Sequence, residues 1–232
     1  MTKPTVGIIG LGAMGAGIAK TLRNNGFTIH VCDVRPGVAD AFVADGGTAH
    51  ATTAALAAVS DVVVSVVVNA AQTESVLFGD DGKGGAASAM RPGSTFVMCS
   101  TVDPNWSVAL EARLNALGLH YVDAPISGGA AKAASGQMTM MTSAKPEAYA
   151  AANAVLDVID NAPDYRHVKQ LVENGWLDIG SALARQSIDA LVPAIITQEQ
   201  ADAIKALGEV STPVDEFEVR KICWSDDGEW AL

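Results

Sequence analysis

The sequence predicts an α/β domain built on a doubly wound, mostly parallel sheet, followed by a small, mostly helical tail. Three observations carry this. Short β-rich runs, TVGIIG, TIHVCD, DVVVSVVV, STFVMCS and LHYVDA, alternate with helix-like stretches over residues 5–160. One of them, DVVVSVVV, is apolar almost throughout, as a strand covered on both faces must be. Past NAPD at 161–164 the alternation stops. Strands alternating with helices imply a parallel sheet with helices on both sides. The expected division is therefore 1–162 and 163–232.

The elements follow in order. TVGIIG is a first strand, and the stretch after it is a helix that Gly26 closes. TIHVCD, DVVVSVVV and STFVMCS are the next strands. Asp103 followed by Pro104 reads as an N-cap and first-turn pair, opening a helix to about Leu117 with Gly118 as its stop. LHYVDA is a further strand. In the stretch 128–141, GGAAKAASGQMTMM, a glycine- and alanine-rich half precedes a run suited to a sheet. The tail shows helical periods in DYRHVKQLVENG, SALARQSIDALV and TQEQADAIKALG. PVDEFEVRKICW has proline first, acids early and bases late, as a helix prefers.

The chain has 232 residues, 49% of them apolar, enough for one large domain or two small ones with a real core. A net charge of −11 argues against nucleic acid and anionic membranes as partners. The tail is the more acidic part, with 6 basic and 13 acidic side chains in residues 163–232. Small anions remain admissible, because backbone N–H groups bind them without net positive charge. Cys32, Cys99 and Cys223 are far apart, and no C-x-x-C pair or Cys/His cluster occurs, so neither a disulfide framework nor a metal site is indicated. A reducing, cytoplasmic setting is the expectation. The run Val6–Ala19 imitates a signal peptide but carries glycines at 7, 10, 12, 15 and 17, and it is too short to span a bilayer.

VGIIGLGAMGAGIAK places Gly10, Gly12 and Gly15 in a G-x-G-x-x-G pattern between a strand and a helix. The spacing alone is weak, but the context is the one a dinucleotide loop requires. Gly10 permits the tight turn, Gly12 lets the pyrophosphate approach the backbone, and Gly15 lets the helix pack on the strand. Leu11, Ala13 and Met14 complete the loop, whose helix end offers free N–H groups to the phosphates. Asp33 closes the second strand, where a carboxylate holds ribose hydroxyls and repels a 2′-phosphate. NAD is thereby favoured over NADP, with Arg35 as the residue able to accept that phosphate.

With IIGLGAMG, STV at 100–102 and DAPISGG at 123–129, the chain resembles the β-hydroxyacid dehydrogenases, the group that contains 3-hydroxyisobutyrate dehydrogenase. The likeness covers about residues 5–160. VVNAAQTESVLFG (67–79) and GGAAKAASGQMT (128–139) look like the L-threonate dehydrogenase branch, which oxidises a four-carbon sugar acid at C2 and carries a lysine where this chain has Lys132. The resemblance implies a Rossmann-type domain with the dinucleotide loop at Gly10–Gly15 and the ribose-binding acid at Asp33. It implies cofactor contacts near Val68 and Asn69, a nicotinamide-side threonine at Thr101, and a substrate carboxylate loop at Ser127, Gly128 and Gly129. The residues agree: Asn69, Thr101 and Ser127 each follow an apolar strand, where ligands of a doubly wound sheet collect. Two adjacent glycines expose N–H groups suited to a carboxylate. A contact from Lys132 to a substrate hydroxyl or carboxylate stands beside the simpler reading of an exposed surface lysine. Asp123, just before Pro125, reads as the cap of a turn.

One part of the family pattern is missing. Oxidation of an alcohol needs a base for the hydroxyl proton, and in this family a lysine on the first helix of an all-helical second domain does that work. Leu177 stands near where an ungapped alignment would put it. Lys169, in RHVKQLVENG, is the lysine nearby, and its simpler reading is a solvated helix-face residue. The 70 residues after 162 are fewer than the family's second domain, which also mediates dimerisation, so the expectation is a truncated, rearranged or fused gene product. Two functions stay open: an NAD-dependent dehydrogenase of a small hydroxy acid, or a dinucleotide-binding module that has lost catalysis. Pairing with a second copy, as a homo-oligomer that supplies a lysine in trans, also stays open.

Overall fold

A computed structural model of the protein describes residues 3–79, 84–159 and the isolated positions 198, 201 and 202. The chain divides into two compact units, Met1–Ala162 and Pro163–Leu232. All elements named below lie in the first. Of the helices expected in the tail, Gln198, Ala201 and Asp202 of TQEQADAIKALG are described, and they are helical; the rest of those stretches lies outside the described residues.

Five strands form where the β-rich runs stand: β1 (Val6–Ile9), β2 (Ile29–Cys32), β4 (Val62–Ser65), β5 (Thr95–Met98) and β6 (His120–Asp123). Two-residue strands β3 (Thr48–Ala49) and β9 (Ser143–Ala144) complete a seven-stranded sheet in the order β3-β2-β1-β4-β5-β6-β9. Every pairing is parallel except β6 with β9. A separate antiparallel pair joins β7 (Ile126–Ser127) to β8 (Thr139–Met140), so the end of the GGAAKAASGQMTMM stretch does enter a sheet. The short strands β3, β7 and β9 carry no sequence signal of their own, because two residues cannot show a period.

Residues alternate between the two faces of the sheet, as period-two geometry demands. Val6, Ile8, Val62, Val64, Val97 and Val122 bury into one apolar cluster, with Ile18 and Leu22 of α1 (Ala13–Asn24) and Val155 and Leu156 of α7 (Pro146–Ile159). Ile9, Val63, Phe96, Met98 and Tyr121 bury into the other, with Leu56 of α3 (Thr53–Ala57), Leu77 of α4 (Ala70–Phe78) and Leu110 and Leu114 of α5 (Pro104–Ala116). This two-sided burial is why DVVVSVVV is apolar almost throughout. The remaining helices are α2 (Val38–Val43) and α6 (Gly129–Ser135), with a short 3-10 turn at Ala86–Ser88. Helix α5 begins at Pro104 as expected, with the Asp103 carboxylate accepting from the amides of Asn105 and Trp106. Among the described residues no helix is long and apolar enough to cross a membrane, and no group of three or more His, Cys, Asp or Glu could hold a metal.

At the β2–β3 side of the sheet, His30 Nδ1 lies 2.8 Å from Nε2 of His50. Burial, and then the charge of His50, hold the His30 pKa below its ordinary value. The folded state thus prefers His30 neutral. The stability it contributes is full above the unfolded value of 6.5 and is lost as pH falls through the lowered folded value. Thermal melts at pH 8, 6.5 and 5 should show a falling Tm across this range, and His30→Asn should flatten that fall. An unchanged slope would remove His30 from the acid response.

Candidate functional site

In the sheet, β1, β4, β5 and β6 are adjacent and parallel, so their carboxyl ends share one edge. Chain order reverses between β1 and β4, which is where a doubly wound sheet opens a crevice. Gly10–Gly15 leave β1, Val68 and Asn69 follow β4, and Thr101 follows β5. Ser127 sits in β7, which follows β6. Topology therefore gathers the expected cofactor and substrate residues along one edge, although they span more than a hundred positions of sequence.

The three loop glycines differ in kind. A Cβ on Gly10 would stand 2.5 Å from the Val66 carbonyl oxygen, and one on Gly15 would stand 1.9 Å from the Gly10 carbonyl oxygen. Those two positions are closed by the protein's own backbone. A Cβ on Gly12 would meet nothing within 4 Å. Gly12 is the N-cap of α1, and among the described residues no side chain caps that end. Its first-turn amides thus lack the intrahelical partners that later turns have. Open space beside bare amides and the positive end of a helix suits a pyrophosphate, so the residues present fit a dinucleotide.

Asp33 stands immediately after β2, its side chain almost wholly buried. Oδ2 accepts from the Leu11 amide at 2.7 Å, which ties the glycine loop to the second strand. Oδ1 accepts from the Arg35 amide at 2.9 Å. The Arg35 guanidinium closes on both oxygens, Nε to Oδ1 and Nη2 to Oδ2, each at 2.9 Å. These Arg35 bonds, with that from Leu11, hold the carboxyl down at about 2 against a desolvation that opposes them. Four donors now occupy the roughly four lone-pair sites of a carboxylate. A ribose diol must therefore displace the exposed guanidinium before it can reach Asp33.

Asn69 and Val68 sit on a reciprocal cap. The Asn69 side-chain oxygen accepts from the Gln72 amide at 3.0 Å, and the Gln72 side-chain oxygen accepts from the Val68 amide at 2.9 Å. This resembles a capping box, displaced by one residue at its return bond. The Val68 side chain is left 78% exposed, unusual for a large aliphatic beside the crevice. Two buried hydroxyls, which sequence reasoning missed, hold the same loop. Ser100 Oγ donates to the Val67 carbonyl at 2.7 Å and lies 3.3 Å from Thr73 Oγ1, which donates to the Asn69 carbonyl at 3.0 Å. Ser100 thereby joins the loop after β4 to the one after β5, where Thr101 is exposed. The available signal was a serine at the end of an otherwise apolar strand.

Ser127, half-buried, pairs with Thr139, and Gly128 is the N-cap of α6. Lys132 is exposed and folds back: a Cβ on Gly128 would lie 2.7 Å from Lys132 Cδ. The lysine stem thus covers the loop instead of pointing away from it. Asp123, which Pro125 suggested as a turn cap, reaches into the interior. It is the last residue of β6, 5% exposed, and its Oδ2 accepts from Ser107 Oγ at 2.8 Å, anchoring β6 to α5. Cys99, fully buried at the end of β5, has its thiol pushed up to about 12 by burial and then by Asp123, which makes it an unreactive packing residue. Lys169 and Leu177 lie outside the described residues.

Comparison with known proteins agrees with this geometry. Residues 5–172 match the NAD binding domain of 6-phosphogluconate dehydrogenase. An L-threonate dehydrogenase of Cupriavidus necator is 52% identical over 154 residues, covering 66% of this chain and 51% of that protein. One from Haemophilus influenzae is 32% identical over 212 residues, covering 91% and 66%. This chain thus spans about half to two thirds of the length of these relatives. The crystal structure of 3-hydroxyisobutyrate dehydrogenase from Salmonella typhimurium aligns with a TM-score of 0.64 at 30% identity, covering 96% of this chain and 80% of that one. A glycine loop closed at Gly10 and Gly15 and open at Gly12, set in a sheet of this order and matched over these residues, places the chain in the NAD-binding-domain family of 6-phosphogluconate dehydrogenase, alongside the 3-hydroxyisobutyrate and L-threonate dehydrogenases.

Proposed function

We propose that this chain binds NAD and serves as the cofactor and carboxylate-binding part of a dehydrogenase acting at C2 of a small, L-threonate-like 2-hydroxy acid. The observation that carries the cofactor half is the contrast at the glycine loop, with open space at Gly12 between two closed positions. The substrate half is supported by the likeness to the Cupriavidus necator protein over 154 residues, together with the glycines at 128 and 129 and the Lys132 stem folded over them. The preference for NAD over NADP rests on the buried Asp33 carboxylate, which repels a 2′-phosphate.

A dinucleotide held by Gly10–Gly15 and Asp33 would supply the hydride acceptor for C2. The chain's own residues do the rest. Ser127 Oγ and the amides of Gly128 and Gly129 hold the substrate carboxylate, Lys132 adds a positive charge over the loop, and Thr101 with Asn69 borders the nicotinamide end. The hydroxyl proton must pass to a base as the hydride leaves, and Lys169 is the candidate for that role.

The competing reading is a dinucleotide-binding module without catalysis. It is favoured by Leu177 standing near where the resemblance, aligned without gaps, would place the family's lysine. Calorimetry with NAD, paired with an assay of NADH formation from L-threonate, glycerate and 3-hydroxyisobutyrate, separates the two. Binding with turnover supports the dehydrogenase, and Lys169→Ala should then abolish it. Binding without turnover establishes the module. Absence of NAD binding defeats both.

A further inference from the structure

Helix α6 has one buried residue, Ala133, and that residue rests on α1. A Cβ added to Gly17 would stand 2.6 Å from the Ala133 carbonyl carbon and 2.8 Å from the Ala134 nitrogen, so the two backbones touch there with nothing between them. One turn further along α1, Thr21 Oγ1 donates to the Ala133 carbonyl at 3.2 Å, and Thr21 Cγ2 packs where a Cβ on Gly136 would lie at 3.0 Å. At both ends of α6 the backbone enters the left-handed region, at Gly128 (φ 123°) and Gly136 (φ 69°). The helix is thus a short rigid piece between two glycine joints, and α1 holds its buried face. Its leading end is Gly128–Gly129, and the start of α1 is the glycine loop.

We propose that Gly17 and Thr21 are positioning residues through which occupancy of the dinucleotide loop orders the Ser127–Gly129 carboxylate loop. This rests on the cofactor reading above. A pyrophosphate bound at Gly12–Gly15 immobilises the first turns of α1. Because α6 is keyed to α1 at Gly17, Thr21 and Gly136, it loses freedom at the same time, and the carboxylate site is set before the acid arrives. Binding that rigidifies one site lowers the ordering cost at the next, which is positive coupling without a large movement. Neither residue touches cofactor or substrate.

Hydrogen–deuterium exchange on the full chain, with and without saturating ADP, tests this. ADP ends at its pyrophosphate, so direct contact with the 127–136 segment is avoided. In the wild type, exchange should slow in residues 11–16 and, by at least about fivefold, in residues 127–136. Thr21→Val keeps the side-chain volume and removes the hydroxyl bond to Ala133. It should leave the slowing at 11–16 intact and reduce that at 127–136 by half or more. Gly17→Ala should abolish the distal effect, and Thr21→Val decides the matter if Gly17→Ala fails to fold. Slowing confined to 11–16 in the wild type, or distal slowing unchanged in Thr21→Val, overturns the proposal while leaving the cofactor reading in place. No slowing in either segment defeats the cofactor reading and this proposal together.

Discussion

Gly12→Val is expected to leave the fold intact and to weaken NAD binding by roughly 100-fold or more, about 2.7 kcal/mol. The expectation comes from two facts about one residue. Gly12 has an ordinary φ of −63°, so an L side chain costs no backbone strain. Its Cβ direction is empty within 4 Å, so the new side chain starts into open space, the space a pyrophosphate would take. Gly15→Ala should do the reverse, harming the fold first. Its Cβ would stand 1.9 Å from a carbonyl oxygen that belongs to the same turn and cannot retreat. Overpacking of this kind costs about 3 kcal/mol or more, or roughly 10 °C in Tm for a domain of this size. Melting curves and NAD titrations on the two variants separate the binding role from the packing role. If Gly12→Val retains full NAD affinity, the phosphate is not bound at this loop. If Gly15→Ala melts like the wild type, the packing role of Gly15 is wrong.

Asp33→Ala is expected to lower NAD affinity by roughly 10–100-fold, the loss of two charge-assisted bonds to the ribose, and to raise affinity for NADP. The guanidinium of Arg35, now bonded to both Asp33 oxygens, would be released toward a 2′-phosphate. The NADP-to-NAD preference should move by a factor on the order of 100. Arg35→Ala should act in the other direction. With its two side-chain bonds gone, Asp33 meets the ribose diol without a competitor, and NAD should bind a few-fold more tightly, since an exposed ion pair is weak and easily exchanged. Parallel titrations with both dinucleotides test the pair. A loss of NAD affinity in Arg35→Ala would show that the arginine is a cofactor contact and not a competitor. The carboxyl also enters acid stability. Its folded pKa, about 2, lies below the ordinary 3.8, so its contribution is fully present above 3.8 and is lost as pH falls toward 2.

The long elements are legible because each carries a period or a punctuation mark. β4 carries three successive valines because helices cover both its faces, and α5 starts at a proline behind an aspartate that caps it. The candidate site is legible where a residue type has few structural alternatives, as at Gly10, Gly12, Gly15 and Asp33. The bond of Asp123 to Ser107 is invisible in sequence because Ser107 lies 16 residues earlier in the chain. Ser100 and Thr73 escape notice for the same reason: a serine and a threonine 27 positions apart do not announce a shared hydrogen-bond network.

The sequence by itself determined the alternation of elements, the glycine-rich turn between the first strand and helix, and the family likeness, since these depend on local spacing and on residues a few positions apart. Only the tertiary structure decided which glycine is open and which are closed, because a missing Cβ acquires meaning from the atoms opposite it. It also decided that Arg35 occupies both oxygens of the Asp33 carboxylate, and that Gly17 of the first helix carries Ala133 of the helix that begins at Gly129. Those relations join backbone atoms from distant parts of the chain, and close packing, which has no sequence period, brings them together.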